Sequence, residues 1–227
     1  MKLRLPYSIH QSEKLEKALG LIMIVLMLVS MVLLAKEVSH VKTAADDIKE
    51  RTEKKRVIID AGHGAADSGK VGINNSLEKD INLQIAKQVQ RLLVAQDVEV
   101  YMTREDDRGF YPTSGSNKKV KDMKKRVEYI NELKPDLTVS IHQNSYEGES
   151  IYGAQVFYYG TSQEGKYAAE IMQSQLIDTL DKENRRAAKN NNSYYLLKKT
   201  ESPIIIVECG FLSNRREADL LITPQYQ

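Results

Sequence analysis

The sequence predicts an α/β domain on a largely parallel sheet flanked by helices, preceded by one N-terminal transmembrane or signal helix. Three observations predict it. From residue 56 onward, short apolar runs alternate with segments of helical periodicity. The apolar runs are rich in Val and Ile, as strands buried on both faces are. One long uncharged stretch, Ala18 to Ala35, stands apart from this pattern. Composition narrows the function. With 33 Lys and Arg against 31 Asp and Glu, no bulk positive charge is available to hold nucleic acid, so no nucleic-acid partner is expected. Cys209 is the single cysteine, which excludes an internal disulfide framework and Cys-rich zinc sites.

Ala18 to Ala35 would span roughly 27 Å as a helix, the thickness of a hydrocarbon core. Lys2, Arg4, Lys14 and Lys17 precede it, which favours an N-terminus inside. A cleaved signal peptide would need a small-x-small site close behind, and only Thr43-Ala44-Ala45 approaches one. An uncleaved anchor at 1–35 is therefore expected. A cleaved signal and a buried globular helix are the alternatives. Residues 36–55 read as a charged stalk and 56–227 as one globular domain without internal repeats.

Within that domain, Arg56 to Asp60 is a buried strand running into a Gly-His-Gly loop. A helix begins near Glu78, with Ile81, Ile85, Val89 and Leu92 on its inner face. Val98 to Thr103 is a strand, and 104–117 a polar loop. Helical spacing returns from Val120 to Leu133 through Met123, Val127 and Ile130, with Pro135 just beyond. Strands follow at Leu137–Ile141 and Ala154–Tyr159, then a helix over 163–180 with Ala168, Ile171, Leu176 and Leu180 inward. Residues 185–193 read as a loop and Tyr194–Leu197 as a short strand. Pro203 to Glu208 is the most apolar strand and is expected to be central. A last short helix covers 215–221.

The chemistry lies in where the strands end. His63, His142 and Glu208 each fall at or just past the carboxyl end of an expected strand, where open α/β sheets bind ligands. A lone histidine there is ordinarily structural, and Glu78 alone is an ordinary first-turn acid. Glu208 is less ordinary, because a carboxylate following the aliphatic run Ile204–Val207 is costly unless used. Two histidines and Glu78 make a zinc set that leaves one position for water. Glu208 would then be the spare carboxylate that takes and returns the proton. Sequences of the form HExxH, GxSxG and GxxxxGK[ST] are absent. Asp67 spoils the dinucleotide fingerprint that Gly62 and Gly64 begin. Cys209 reads as a small buried residue. The run Lys118–Arg126 reads as a solvated helix face, or as a contact for an anionic wall polymer or a protein partner.

VIIDAGHG (57–64), LEKDINL (77–83), MTRED (102–106), SIHQN (140–144) and IIVECGFLSN (205–214) occur in order. Together they resemble the zinc-dependent N-acetylmuramoyl-L-alanine amidases of the amidase type 3 family, over Val57 to Gln227. The resemblance implies a six-stranded, mostly parallel α/β sandwich, so that 56–227 is an amidase catalytic domain. It implies one zinc ion per chain held by His63, Glu78 and His142, with Glu208 catalytic. It implies hydrolysis of the amide joining the lactyl group of N-acetylmuramic acid to L-alanine of peptidoglycan stem peptides. Asp60 and Ser140 become residues supporting the ligands, and Arg104 and Asn144 either meet substrate or tie loops together. The short architecture is most similar to the germination-specific spore-cortex amidases, which give muramic-δ-lactam. Such a protein is bacterial, exported and membrane-anchored on the extracytoplasmic side, and a lipoprotein activator is an expected partner. A vegetative autolysin or cell-separation amidase is the alternative, as is an anchored zinc-binding scaffold that needs a partner. Relatives usually add a helix beyond the position of Tyr226-Gln227, which puts the packing of Leu220 and Leu221 in question.

Overall fold

The computed structural model describes residues 17, 19–21, 23, 27–39 and 54–227. The chain divides into two units, Met1–Glu53 and Lys54–Gln227. In the first, residues 27–39 are helical (α1) with exposed side chains. Among the described residues no helix is long and apolar enough to cross a membrane. Much of the expected anchor at 1–35 and most of the stalk at 36–55 lie outside the described residues.

The second unit is a six-stranded sheet in the order β2-β1-β3-β6-β4-β5. The strands are β1 (Arg56–Ala61), β2 (Glu99–Met102), β3 (Leu137–Asn144), β4 (Gln155–Tyr158), β5 (Lys189–Asn190) and β6 (Ile204–Phe211). The helices are α2 (Glu78–Ala95), α3 (Lys118–Leu133), α4 (Gln163–Leu180), α5 (Tyr195–Lys199) and α6 (Arg215–Leu221). β1, β2, β3 and β6 are parallel, and β6 lies inside the sheet as its aliphatic run requires. β4 runs antiparallel to β6 and carries β5 parallel to it at the edge.

Strand alternation sorts the side chains onto two faces. Ile59, Val139, Ile141, Ile205 and Val207 point into one core, with Ile81, Ile85 and Ala86 of α2, Ala169 of α4 and Leu221 of α6. Ile58, Phe157, Ile204 and Ile206 point the other way, toward Val127 and Ile130 of α3 and Leu196 and Leu197 of α5. The same alternation puts Asp60, Ser140, His142 and Glu208 on the α3 and α5 side.

Several expectations need correction. Tyr194–Leu197 is not a strand: α5 is a helix whose Leu196 and Leu197 are buried in the second core. A short apolar run reads either way, and packing decides. β5 falls inside the expected loop at 185–193, where pairing with β4 recruits two polar residues. On α2, Leu92 is 68% exposed while Leu93 packs against the core, continuing the four-residue step from Ile81, Ile85 and Val89. On α4, Ile171 is exposed and Met172 packs inward instead. Leu221 is buried and Leu220 is half-buried, so Leu221 finds its packing among the described residues.

Asp60 sits at the centre of this architecture. It is fully buried and accepts hydrogen bonds from Thr103 Oγ1 (2.7 Å), Ser140 Oγ (2.5 Å) and Arg126 Nη1 (2.7 Å). Burial pushes its carboxyl up, but Arg126 and the two hydroxyls outweigh burial and hold it at about 2, below the usual carboxylate range. A pKa depressed on folding contributes stability above the unfolded value that is lost as pH falls through the folded one. Between pH 4 and pH 2 the wild type is expected to lose about 2 kcal/mol that Asp60→Asn does not. Urea unfolding at stepped pH checks this, and parallel acid limbs for the two proteins would refute it.

Candidate metal centre

Three elements deliver the site. β1 ends at Ala61 and the chain turns through Gly62, His63 and Gly64. His63 takes a left-handed backbone, φ 63°, a conformation uncommon outside glycine. Buried arginines hold the turn by its carbonyls. Arg126 donates to Ala61 O (2.8 Å) and His63 O (2.6 Å), and Arg104 to Ala61 O (2.8 Å) and Gly62 O (3.1 Å). β3 presents His142 opposite Glu208 of β6 in the ladder. Glu78 is the first residue of α2 and is only 2% exposed.

Glu78 Oε1 lies 3.1 Å from His63 Nε2 and 2.9 Å from His142 Nδ1, and it accepts the Gln143 backbone N–H at 3.1 Å. Its other oxygen accepts the Lys70 N–H at 2.8 Å. The two imidazole rings meet edge to face, with centroids 5.0 Å apart. One potential ligand atom from each of His63, Glu78 and His142 falls within 4.8 Å of the others. The cradle depends on two glycines. A Cβ at Gly62 would overlap the His142 ring, and one at Gly69 would come within 2.5 Å of Glu78 Oε2.

The electrostatics match a cation's place. Burial pushes the Glu78 carboxyl up, yet hydrogen bonds and charge from His142 and His63 outweigh it and hold Glu78 well below the usual range. Burial depresses His142, and Glu78 reverses this, holding the imidazole above its ordinary value. Glu208 is pushed up by burial and by the charge of Glu78, against the opposing pull of His142 and His63. Its Oε2 is buried without a hydrogen-bond partner among the described residues. Two imidazoles, one carboxylate kept anionic and an orphaned carboxylate oxygen at the rim fit a divalent ion with three protein ligands.

Among the other residues expected here, Asp60 and Ser140 are buried and bonded to each other. They join β1 to β3 behind the imidazoles. Arg104 is 3% exposed, and its guanidinium ends on the carbonyls of Ala61, Gly62, Lys79 and Asp106, which ties loops together. Asn144 is half-buried, and its Oδ1 accepts from Ser145 N at 2.8 Å. It lines a polar cleft of about 330 Å³ with Lys70, Gln143 and Ser145. A second cleft, about 350 Å³, runs beneath Met123, Tyr194, Leu196 and Ile206. Both clefts share His63, Asp67, Lys119, His142, Tyr194 and Glu208.

Sequence reasoning missed Asp67, Lys119, Asp122 and Arg126. Lys118–Arg126 is not simply a solvated face, since Arg126 is 2% exposed and Asp122 6%. The available signal was spacing: 119, 122, 123 and 126 share one side of a helix.

A family model described as N-acetylmuramoyl-L-alanine amidase matches residues 57–227. A germination-specific N-acetylmuramoyl-L-alanine amidase of Bacillus subtilis is 40% identical over 176 residues, covering 76% of this chain and 73% of the relative. Among solved structures, the CwlD amidase from Clostridioides difficile, determined in complex with the GerS lipoprotein, is 37% identical with TM-score 0.73. That match covers 76% of this chain and 90% of that one. An N-acetylmuramoyl-L-alanine amidase from Clostridium difficile 630 is 32% identical with TM-score 0.67, covering 77% and 89%.

Proposed function

The chain belongs to the amidase type 3 family of N-acetylmuramoyl-L-alanine amidases, and from that membership we propose that it is a zinc enzyme of the spore cortex. In this reading His63, Glu78 and His142 hold one zinc ion and Glu208 is the catalytic residue. The carrying observation is the convergence of the three ligand atoms beside the unpartnered oxygen of Glu208. A bound zinc ion supplies polarisation of the lactyl carbonyl and acidification of a water. Glu208 accepts that water's proton on Oε2, the oxygen left free, and returns it to the departing L-alanine nitrogen. Burial raises the proton affinity of the Glu208 carboxylate, which suits a group that must first accept a proton and then hold it until the leaving nitrogen takes it. Asp60 and Ser140 keep β3 in place, and the two clefts leave room for substrate on either side of the scissile bond.

The cortex role rests on similarity to the germination-specific relative. There the product is an N-acetylmuramic acid stripped of its stem, ready for conversion to muramic-δ-lactam. The domain boundaries follow the same reading: an anchor at 1–35, supported by the uncharged run Ala18–Ala35, a stalk at 36–55, and the amidase domain at 56–227 on the extracytoplasmic side. A lipoprotein is the proposed partner, by similarity to a relative solved with one.

The test is zinc per chain together with product masses from muropeptides. One zinc per chain is expected, along with release of stems bearing N-terminal L-alanine. Chelation should abolish that release and added zinc restore it. Stems cut after L-alanine would instead identify a peptidase. Deleting the gene in a spore former should remove muramic-δ-lactam from the cortex. An unchanged lactam content would favour the vegetative autolysin.

A further inference from the structure

Asp67 and Lys119 are absorbed by none of the roles above, yet both line both clefts. Asp67 Oδ2 lies 2.9 Å from His63 Nδ1, the ring nitrogen facing away from Glu78. The same oxygen is 3.0 Å from Lys119 Nζ, and Asp67 Oδ1 accepts from Lys119 Nζ at 3.2 Å and from the Gly69 N–H at 3.4 Å. The main chain of Asp67 is fixed by a reciprocal backbone pair, Gly64 N–H to Asp67 O and Asp67 N–H to Gly64 O, both 3.0 Å. Lys119 arrives from the first turn of α3, across the cleft from the turn that carries His63.

We propose that Asp67 is a positioning residue for His63, and that Lys119 braces it from α3, so that Nε2 is the atom His63 offers to the metal. This rests on the zinc reading above. An imidazole whose Nδ1–H is given to a carboxylate carries its lone pair on Nε2, and such a partner both sets the ring's tautomer and raises its basicity as a ligand. Lys119 keeps Asp67 anionic and turned toward the ring. The Asp67 to Gly69 contact extends the brace to the second ligand, because Gly69 is the residue packed against Glu78. His142 is held differently. Its Nδ1 faces Glu78, and its ring lies flush on Gly62. The two histidines thus present opposite nitrogens to Glu78, and only His63 needs a carboxylate behind it to do so. Burial pushes the Asp67 carboxyl up, and His63 and Lys119 outweigh burial and hold it below its ordinary value.

The experiment uses the full-length chain in detergent, comparing wild type with Asp67→Asn, Asp67→Glu and Lys119→Gln. Zinc affinity is read by chelator competition, the His63 tautomer by nitrogen NMR of its ring in the zinc-free protein, and folding by the zinc-free melting temperature. Asp67→Asn is expected to weaken zinc binding about 10- to 100-fold. The ring should shift from one tautomer to a mixture while the zinc-free melting temperature holds, and Asp67→Glu should recover part of both. Lys119→Gln should weaken zinc about 2- to 5-fold. Wild-type affinity and an unchanged ring spectrum in Asp67→Asn would overturn the proposal. Wild-type zinc affinity with a raised KM in Lys119→Gln would overturn the Lys119 half and assign that ammonium to substrate. If the wild type takes up no zinc, the metal reading falls, and the tautomer still decides whether Asp67 positions His63.

Discussion

Glu208→Gln should lower stem-peptide release about 10²- to 10⁴-fold while leaving zinc per chain at the wild-type level. Several features of the structure converge on that expectation. Glu208 extends the side of β6 that carries Ile204 and Ile206, so it emerges on the face of the sheet where His142 of β3 stands opposite it. It is 8% exposed, and its Oε2 has no partner among the described residues. A carboxylate so placed strengthens its hold on a proton through burial, as a group that shuttles one should. Glutamine preserves the shape and removes the proton acceptor. Because Glu208 is outside the three-residue ligand cluster, the metal should stay. Muropeptide masses and zinc analysis on the same preparation read both quantities. Turnover near the wild-type rate would remove Glu208 from the mechanism. A protein that still supports its biological role without turnover would be the anchored scaffold instead.

Replacing Arg126 by methionine is expected to cost about 3–5 kcal/mol of stability. Its guanidinium is 2% exposed and bonds Asp60 Oδ1 at 2.7 Å and Asp122 Oδ2 at 2.8 Å, besides the carbonyls of Ala61 and His63. Methionine fills much of the volume but leaves two buried carboxylates facing each other without a cation. The damage should also reach the metal centre, because His63 O loses the donor that holds its left-handed backbone in place. Urea unfolding measures the first effect and chelator competition the second. A coupled variant, Asp60→Asn with Arg126→Met, should recover part of the loss, since one of the stranded charges is removed. A loss below about 1 kcal/mol for Arg126→Met would mean that the buried charge cluster contributes little to stability.

The candidate ligand set, His63, Glu78 and His142, was readable because it sits where strand ends and a helix start can be read from local pattern. Ile58, Ile59, Ile205 and Val207 announce their strands, and the polar residue that follows such a run stands out. Glu78 was readable as a helix start, and α2 begins at that residue. The residues behind the ligands were not readable. Asp67 looked like an interruption of a glycine pattern, and Arg126 like one more member of a basic run. Their significance depends on contacts with residues 4 and 65 positions away, His63 and Ala61, and only the second is long-range. Asp67 could have been suspected from its nearness to His63 in a tight Gly-rich turn. Helical spacing puts Arg126 on the side of α3 that carries Met123, but it does not say that a charge there turns inward, because charged residues ordinarily stay in water unless a buried partner compensates.

Sequence by itself determined the parallel α/β class, the run of strands and long helices, and the candidate set His63, Glu78 and His142 with Glu208 beside it. These follow from periodicity and from the high cost of stranding a charge after an aliphatic strand, both of which act over a few residues. Tertiary structure decided that α5 is a helix, that β4 turns antiparallel beside β6, that Leu93 rather than Leu92 faces the core, and that two buried arginines clamp the turn carrying His63. Each of those outcomes depends on which surface a segment meets, and an apolar or charged side chain settles only when the opposing element supplies its neighbour.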